Sequence, residues 1–248
     1  MTTSTSTART TTACCGALFA VAALAGCTGD ADATSGSLAN APTAPEAGKT
    51  LFADTFADDH NGWALPENEA ARSEFGGGDF TWFSKQPGLR PHLLAKTLGD
   101  AFDRGQLHMR NVVVDASVTP VRGKAAMGPF CREVRDTDAD FQWYEFVVRD
   151  GYAAIRRADS SGHLDVLAKT TDVDVPLGDE AALEAACVDG ASGQARLWLS
   201  VNGTPTLFAR DAHALGNGAP GLQAYDAPSG ARMVVRWHDF TVSRPAAR

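Results

Sequence analysis

A two-sheet antiparallel β-sandwich of jelly-roll form is the fold class this sequence predicts. Three observations predict it. Short runs of alternating or β-branched residues recur through residues 48–245, Asp-Gly and Asn-Gly pairs separate two sets of them, and no stretch sustains a 3.6-residue period. Roughly a dozen strands fit this pattern, within the length that one undivided sandwich reaches.

In chain order, the first long strand is Arg110–Val118, with Val112, Val114, Ala116 and Val118 on one face. Phe141–Val148 is aromatic and β-branched, and Arg149-Asp150-Gly151 leads from it into Tyr152–Ile155. Asp-Gly tolerates the positive φ of a type I′ turn, so a hairpin is expected here. The device recurs in Arg196–Val201, Asn202-Gly203 and Thr204–Phe208, with Leu197, Leu199 and Val201 facing one way and Arg196, Trp198 and Ser200 the other. Ala181–Ala186 has a helix-friendly composition, yet its position between turns also suits a strand. The last strand is expected within Arg232–Val242. Phe83–Phe102, with Pro87 and Pro91, fits no strand pattern.

The region before the sandwich reads as an address. Residues 1–26 hold no acid and one base, Arg9, and end in the apolar run Ala13–Ala25. That run falls short of the roughly 20 residues of a spanning helix and matches the h-region of a cleaved signal. Leu24-Ala25-Gly26-Cys27 then looks like a lipobox, and identifies Cys27 as the lipidated residue of a bacterial lipoprotein. Thr28–Ala47 contains no aromatic residue and reads, with Cys27, as a flexible tether over residues 27–47. The resemblance implies a lipid-anchored protein on the extracytoplasmic face of the cell membrane. Only five of the 22 bases are lysine, and this, with abundant alanine, resembles actinobacterial proteins.

Cleavage removes Arg9 from the 22 bases and none of the 30 acids, leaving 21 against 30, a net charge of −9. Nucleic acid is therefore excluded as an expected partner, and the link to the membrane is expected to be the lipid itself. Cys14 and Cys15 leave with the signal and Cys27 carries lipid, so Cys131 and Cys187 remain in an oxidising compartment. A disulfide is the default reading of such a pair, with two buried thiols as the alternative.

Several segments, in order, resemble extracytoplasmic laminin-G-like, concanavalin A-like jelly-roll domains. They are Leu51–Phe56 with Gly62-Trp63, Gly128–Arg132, Trp143–Val148 with Asp150–Tyr152, Leu183–Cys187, Leu197–Gly203, Gly221–Tyr225 and His238–Val242. The resemblance implies the same sandwich and supports a Cys131–Cys187 bond. Asp189–Gly193 is longer than the tight turn such domains carry. The superfold includes lectins, glycoside hydrolases and interaction modules, so function has to come from a site.

No catalytic signature is present. The E-x-D-x-x-E strand of one concanavalin-like glycosidase group is missing, the six histidines show no zinc spacing, and Gly76-Gly77-Gly78 lacks the lysine of a phosphate loop. Asp54, Asp58, Asp59 and Asn61 form an oxygen-rich loop that suits either a structural Ca²⁺ or turn formation alone; no other cofactor is expected. Sugars are bound by aromatic platforms flanked by polar groups. Trp143 and Glu145 share one strand face, Trp198 and Arg196 another, and with Arg132 and Asp115 they are expected to line one surface. The alternative is that a long loop such as 83–102 covers both tryptophans. Trp63, Trp82 and Trp237 are assigned to the core. The resulting expectation is a non-catalytic module for glycan or another cell-envelope ligand. Its alternatives are an enzyme resembling the 3-keto-glycoside hydrolases, using Asp115 and Glu145, and a protein-interaction domain.

Overall fold

A computed structural model describes residues 38–63, 71–84, 92–93, 95–103, 109–137, 140–226 and 232–247. The expected signal segment, Cys27 and the expected tether as far as residue 37 lie outside these residues.

The described strands are β1 (Ala47–Asp54), β2 (Ala71–Gly76), β3 (Asp79–Ser84), β4 (His92–Leu93), β5 (Val112–Arg122), β6 (Ala125–Thr137), β7 (Asp140–Arg149), β8 (Tyr152–Asp159), β9 (Leu164–Thr170), β10 (Ala181–Asp189), β11 (Ala195–Val201), β12 (Thr204–Asp211), β13 (Ala219–Asp226) and β14 (Val234–Pro245). They form two antiparallel sheets. Sheet A has eight strands, ordered β12-β11-β10-β5-β14-β3-β2 with β1 also on β14; sheet B has six, ordered β4-β13-β6-β7-β8-β9. The expected two-sheet antiparallel sandwich is the observed fold.

Alternation along each strand builds the shared core. Val112, Val114, Ala116 and Val118 of β5 and Leu197, Leu199 and Val201 of β11 meet Tyr144, Phe146 and Val148 of β7 in one apolar cluster. Trp63, Trp82 and Trp237 are in it, as expected. Asn202-Gly203 turns with φ of 51° and 73°, the pair of left-handed residues that type I′ requires. At Asp150-Gly151 only the glycine is left-handed, so that hairpin forms with a different turn. Pro205 sits at a register shift in β12, an edge strand, where the missing N–H costs no ladder bond.

Two regions differ from expectation. The 83–102 region carries helix α1 (Lys96–Asp103), with Leu98 in the core and the Thr97 hydroxyl donating to Asn61 Oδ1 at 2.8 Å. Ala181–Ala186, which the sequence left open between helix and strand, is strand. The domain also begins before residue 48: a 3₁₀ turn at Leu38–Asn40 leads into Ala41 and Ala44, which pack on the outward face of sheet A.

The Asp54 loop is organised by hydrogen bonds. Asp54 accepts from Phe56 N at 2.8 Å, Asn61 Nδ2 at 2.7 Å and Trp63 Nε1 at 2.7 Å, which fixes Trp63 against Phe240 edge to face. Asp58 accepts from His60, and the Asp59 carbonyl from Gly62 N. Turn formation thus accounts for these residues. Among the described residues no three His, Cys, Asp or Glu side chains are grouped to hold a metal.

Cys131 and Cys187 are bonded, one from each sheet, both within the shared core. Beside them Arg132 adopts φ of 54° at a register shift in β6, which turns its side chain inward.

Candidate functional site

The six residues expected to line one surface fall into three places. Trp143 and Glu145 project from the outward face of sheet B. Asp115, Arg196 and Trp198 project from the outward face of sheet A, on the other side of the sandwich. Arg132 lies between, with none of its side chain exposed, donating to the carbonyls of Arg110 (2.8 Å) and Leu215 (3.0 Å) and to Asp189 Oδ1 (3.0 Å). Burial pulls its pKa down and Asp189 opposes this, so Arg132 is a clasp between loops. The single platform expected from the sequence is not formed.

Trp198 is 8% exposed and packs on Phe208, Val113 and Ala186. Its indole N–H donates to Pro42 O at 3.0 Å. The cover over it is the 38–46 segment, where the sequence suggested 83–102; Trp143 is buried as well, at 6% exposed, so both tryptophans are covered, as the alternative reading had it. Arg196 is half-buried beside the turn at Gly190.

Asp115 faces Glu184 directly across the β5–β10 ladder, with Asp239 two strand positions away beside Ser117. These side chains border a shallow cavity of about 280 Å³ with Ser200 and Gly203. Burial, then Glu184 and Asp239, raise the Asp115 pKa to about 6; burial raises that of Glu184. The folded state therefore holds a proton on Asp115 that the unfolded state releases near pH 4, and stability falls as pH rises through the window from about 4 to about 6. Asp115→Asn is expected to raise the melting temperature at pH 7.5 and leave it nearly unchanged at pH 4. Equal shifts at both pH values would contradict this.

The outward face of sheet B is the richer one. From the Arg149↔Tyr152 pairing at the hairpin turn, alternation sets Glu145 opposite Arg156. Arg156 Nη1 lies 3.0 Å from Glu145 Oε1 and donates to Tyr225 Oη at 2.5 Å, while Nη2 donates to Tyr152 Oη at 3.0 Å. The Tyr225 hydroxyl also donates to Glu145 at 3.3 Å. Glu145 is 1% exposed, so a charged pair is held where a bare sheet would face water. Burial works against the Arg156 charge, but Tyr225, Tyr152 and Glu145 outweigh it and raise its pKa above the ordinary value.

Aromatic rings flank the pair. Phe141 stacks on Trp143 with centroids 5.4 Å apart, over Phe130, Ala158 and Leu164. Arg149 and Arg156 lie over the Tyr152 ring at 4.8 and 5.5 Å. Two buried donors on this face, Gln223 Nε2 and Arg156 Nε, have no hydrogen-bond partner among the described residues. Sequence reasoning found Trp143 and Glu145 here and missed Tyr152, Arg156, Gln223 and Tyr225. The hairpin register held the signal for Arg156.

Two antiparallel sheets enclosing one core, stapled by a cross-sheet disulfide and carrying polar and aromatic groups on an outward face, define an all-β jelly roll of the galectin and concanavalin A type. A protein of unknown function with a galectin-like fold from Bacillus subtilis superposes over 83% of this chain and 100% of its own, with a TM-score of 0.59 at 14% identity. The PL-14 alginate lyase of Aplysia kurodai matches over 80% of this chain and 100% of its own, with a TM-score of 0.51 at 8% identity. The Emp46p carbohydrate recognition domain, in its potassium-bound form, matches over 78% of this chain and 99% of its own, with a TM-score of 0.50 at 9% identity. At these identities the likeness is one of fold. No protein-family model matches the sequence, and no curated protein matches it.

Proposed function

We propose that this chain is a non-catalytic carbohydrate-binding module, held at the extracytoplasmic face of the membrane by lipid on Cys27, with its ligand on the outward face of sheet B. The observation that carries the reading is the pairing of stacked rings, Phe141 on Trp143, with the Arg156–Glu145–Tyr225–Tyr152 network and two buried donors that have no partner among the described residues. A sugar presents apolar C–H faces to rings and hydroxyl acceptors to N–H donors, a match for these groups in kind; Trp143 is 6% and Gln223 1% exposed, so binding requires their present cover to give way. Two proteins of the same fold are by name an alginate lyase and a carbohydrate recognition domain, and this supports the ligand class.

Glycan-array screening followed by calorimetry tests it. Gln223→Leu removes an unsatisfied buried group, so it is expected to keep or raise the melting temperature while weakening glycan binding about tenfold or more. Unchanged binding in Gln223→Leu and Tyr152→Phe, or no glycan captured at all, would leave a protein partner as the better reading. For the anchor, Cys27→Ser is expected to release the chain to the medium; retention at the membrane would count against lipidation.

One observation favours a second reading, glycoside hydrolysis. Asp115 and Glu184 oppose each other across a ladder beside a cavity, and a retaining glycosidase needs two carboxyls about 5 Å apart. Turnover on a glycoside panel, abolished in Asp115→Asn, is its signature.

A further inference from the structure

At the end of the sandwich where β5 turns into β6, a cavity of about 250 Å³ opens beside the β7–β8 turn. Pro120 and Met127 wall it from the strands, and Val175 and Leu177 from the β9–β10 connection. Leu177 is 59% exposed and Val121, next to the lining residue Pro120, is 37% exposed. Among the described residues the only other large apolar side chain as open as these is Leu38, so the exposed apolar surface gathers at this end. A surface of this kind marks a binding site more often than an isolated exposed leucine does.

The walls are held by backbone. Gly178 N donates to Pro120 O at 2.8 Å, and Gly151 N to Val173 O at 2.9 Å. Gly123, with φ of +82°, has no room for a Cβ, which would stand 2.8 Å from Arg232 O. The cavity is thus preformed, which lowers the ordering cost of filling it.

Its charged lining is cationic in excess: Lys124 and Arg149 against Asp150. Lys124 is exposed and has no ion pair among the described residues, and Arg149 rests on the Tyr152 ring. Within the lining the cations outnumber the acid two to one, while the four acids of the β9–β10 connection are not among the lining residues. The cavity is also remote from the point where the chain enters the sheet. Ala47 pairs with Pro245, at the other end of β14 from Val234, which pairs with Arg122. Twelve residues of strand separate these ends by roughly 35–40 Å. Asp172, Asp174, Asp179 and Glu180 in the β9–β10 connection oppose an anionic bilayer, so a small solute fits better than a membrane surface.

We propose that this cavity binds a small amphipathic carboxylate, its aliphatic or aromatic body against Met127, Val175 and Leu177 and its carboxylate toward Lys124 and Arg149. The inference does not depend on the glycan face. The test titrates octanoate, octanol and octyltrimethylammonium into the intact chain carrying Cys27→Ser, read by calorimetry. Octanoate is expected to bind saturably and about tenfold or more tighter than octanol, with no measurable octyltrimethylammonium binding. Lys124→Gln should erase the preference for acid over alcohol, and Leu177→Ser should weaken both. Both side chains are exposed, so an unchanged melting temperature separates lost binding from lost folding. Equal affinity for octanol and octanoate, absence of saturable octanoate binding, or full binding by both variants would overturn the proposal.

Discussion

Arg156→Met lowers the unfolding free energy by about 3–5 kcal/mol, the largest effect expected of a single substitution on the outward face of sheet B. Glu145 is almost wholly covered, and its partners are Arg156 and the Tyr225 hydroxyl. Methionine fills the volume but leaves the carboxylate buried without its cation, and a buried unpaired charge costs several kcal/mol. The double variant Arg156→Met with Glu145→Gln removes both charges and is expected to recover most of that loss. Urea unfolding of the four proteins, followed by tryptophan fluorescence, measures the cycle. A single-variant cost below about 1 kcal/mol would mean that water already reaches Glu145 and that the network is only a surface pair.

The second large effect is the disulfide. Cys131 and Cys187 join sheets A and B across a separation of 56 residues. Closing a loop of this length restricts the unfolded chain by about 4 kcal/mol on the chain-entropy account. Cys131→Ser with Cys187→Ser, or reduction of the native protein, is expected to cost about that much. The reductant should shift the urea midpoint of the native protein and leave that of the double variant unmoved. A midpoint insensitive to reductant in both would contradict a bond that staples the sheets.

The local parts of this fold are legible in the sequence because their causes are local. Asn202-Gly203 between alternating runs announces a hairpin, since few other residue pairs accept two positive φ values. The Cys131–Cys187 pair was within reach of the cysteine count and the expected compartment, and Asp54 with Trp63 marks the opening motif of the domain. What stayed hidden depends on contacts distant in sequence. Alternation sorts Trp143 from Tyr144 and Trp198 from Leu197, but it does not say which sheet a hairpin joins. The β7–β8 and β11–β12 hairpins carry the same pattern and lie in different sheets, so Trp143 and Trp198 never meet. Arg132 reads as an outward neighbour of Cys131 until a register shift turns it inward. The opposition of Asp115 and Glu184 depends on the β5–β10 pairing, which no turn announces. Helix α1 was hidden by its eight-residue length beside a proline-containing stretch. Glu145 and Arg156 were within reach: each stands four residues from its end of the Arg149↔Tyr152 pair, so counting outward from the turn would have joined them.

The central claim, that outward-facing side chains of sheet B hold a sugar, is tested most directly by titrating the captured glycan into ¹⁵N-labelled protein. The five tryptophan indole N–H signals and the Gln223 side-chain amide report from separate places in the sandwich. Trp143 and Gln223 stand on the outward face of sheet B, Trp198 on that of sheet A, and Trp63, Trp82 and Trp237 in the core. The account predicts that the Trp143 indole and the Gln223 amide shift together and saturate with the glycan, while Trp198 stays in place. Shifts confined to Trp198 and the neighbours of Asp115 and Glu184, with Trp143 and Gln223 unmoved, would contradict it.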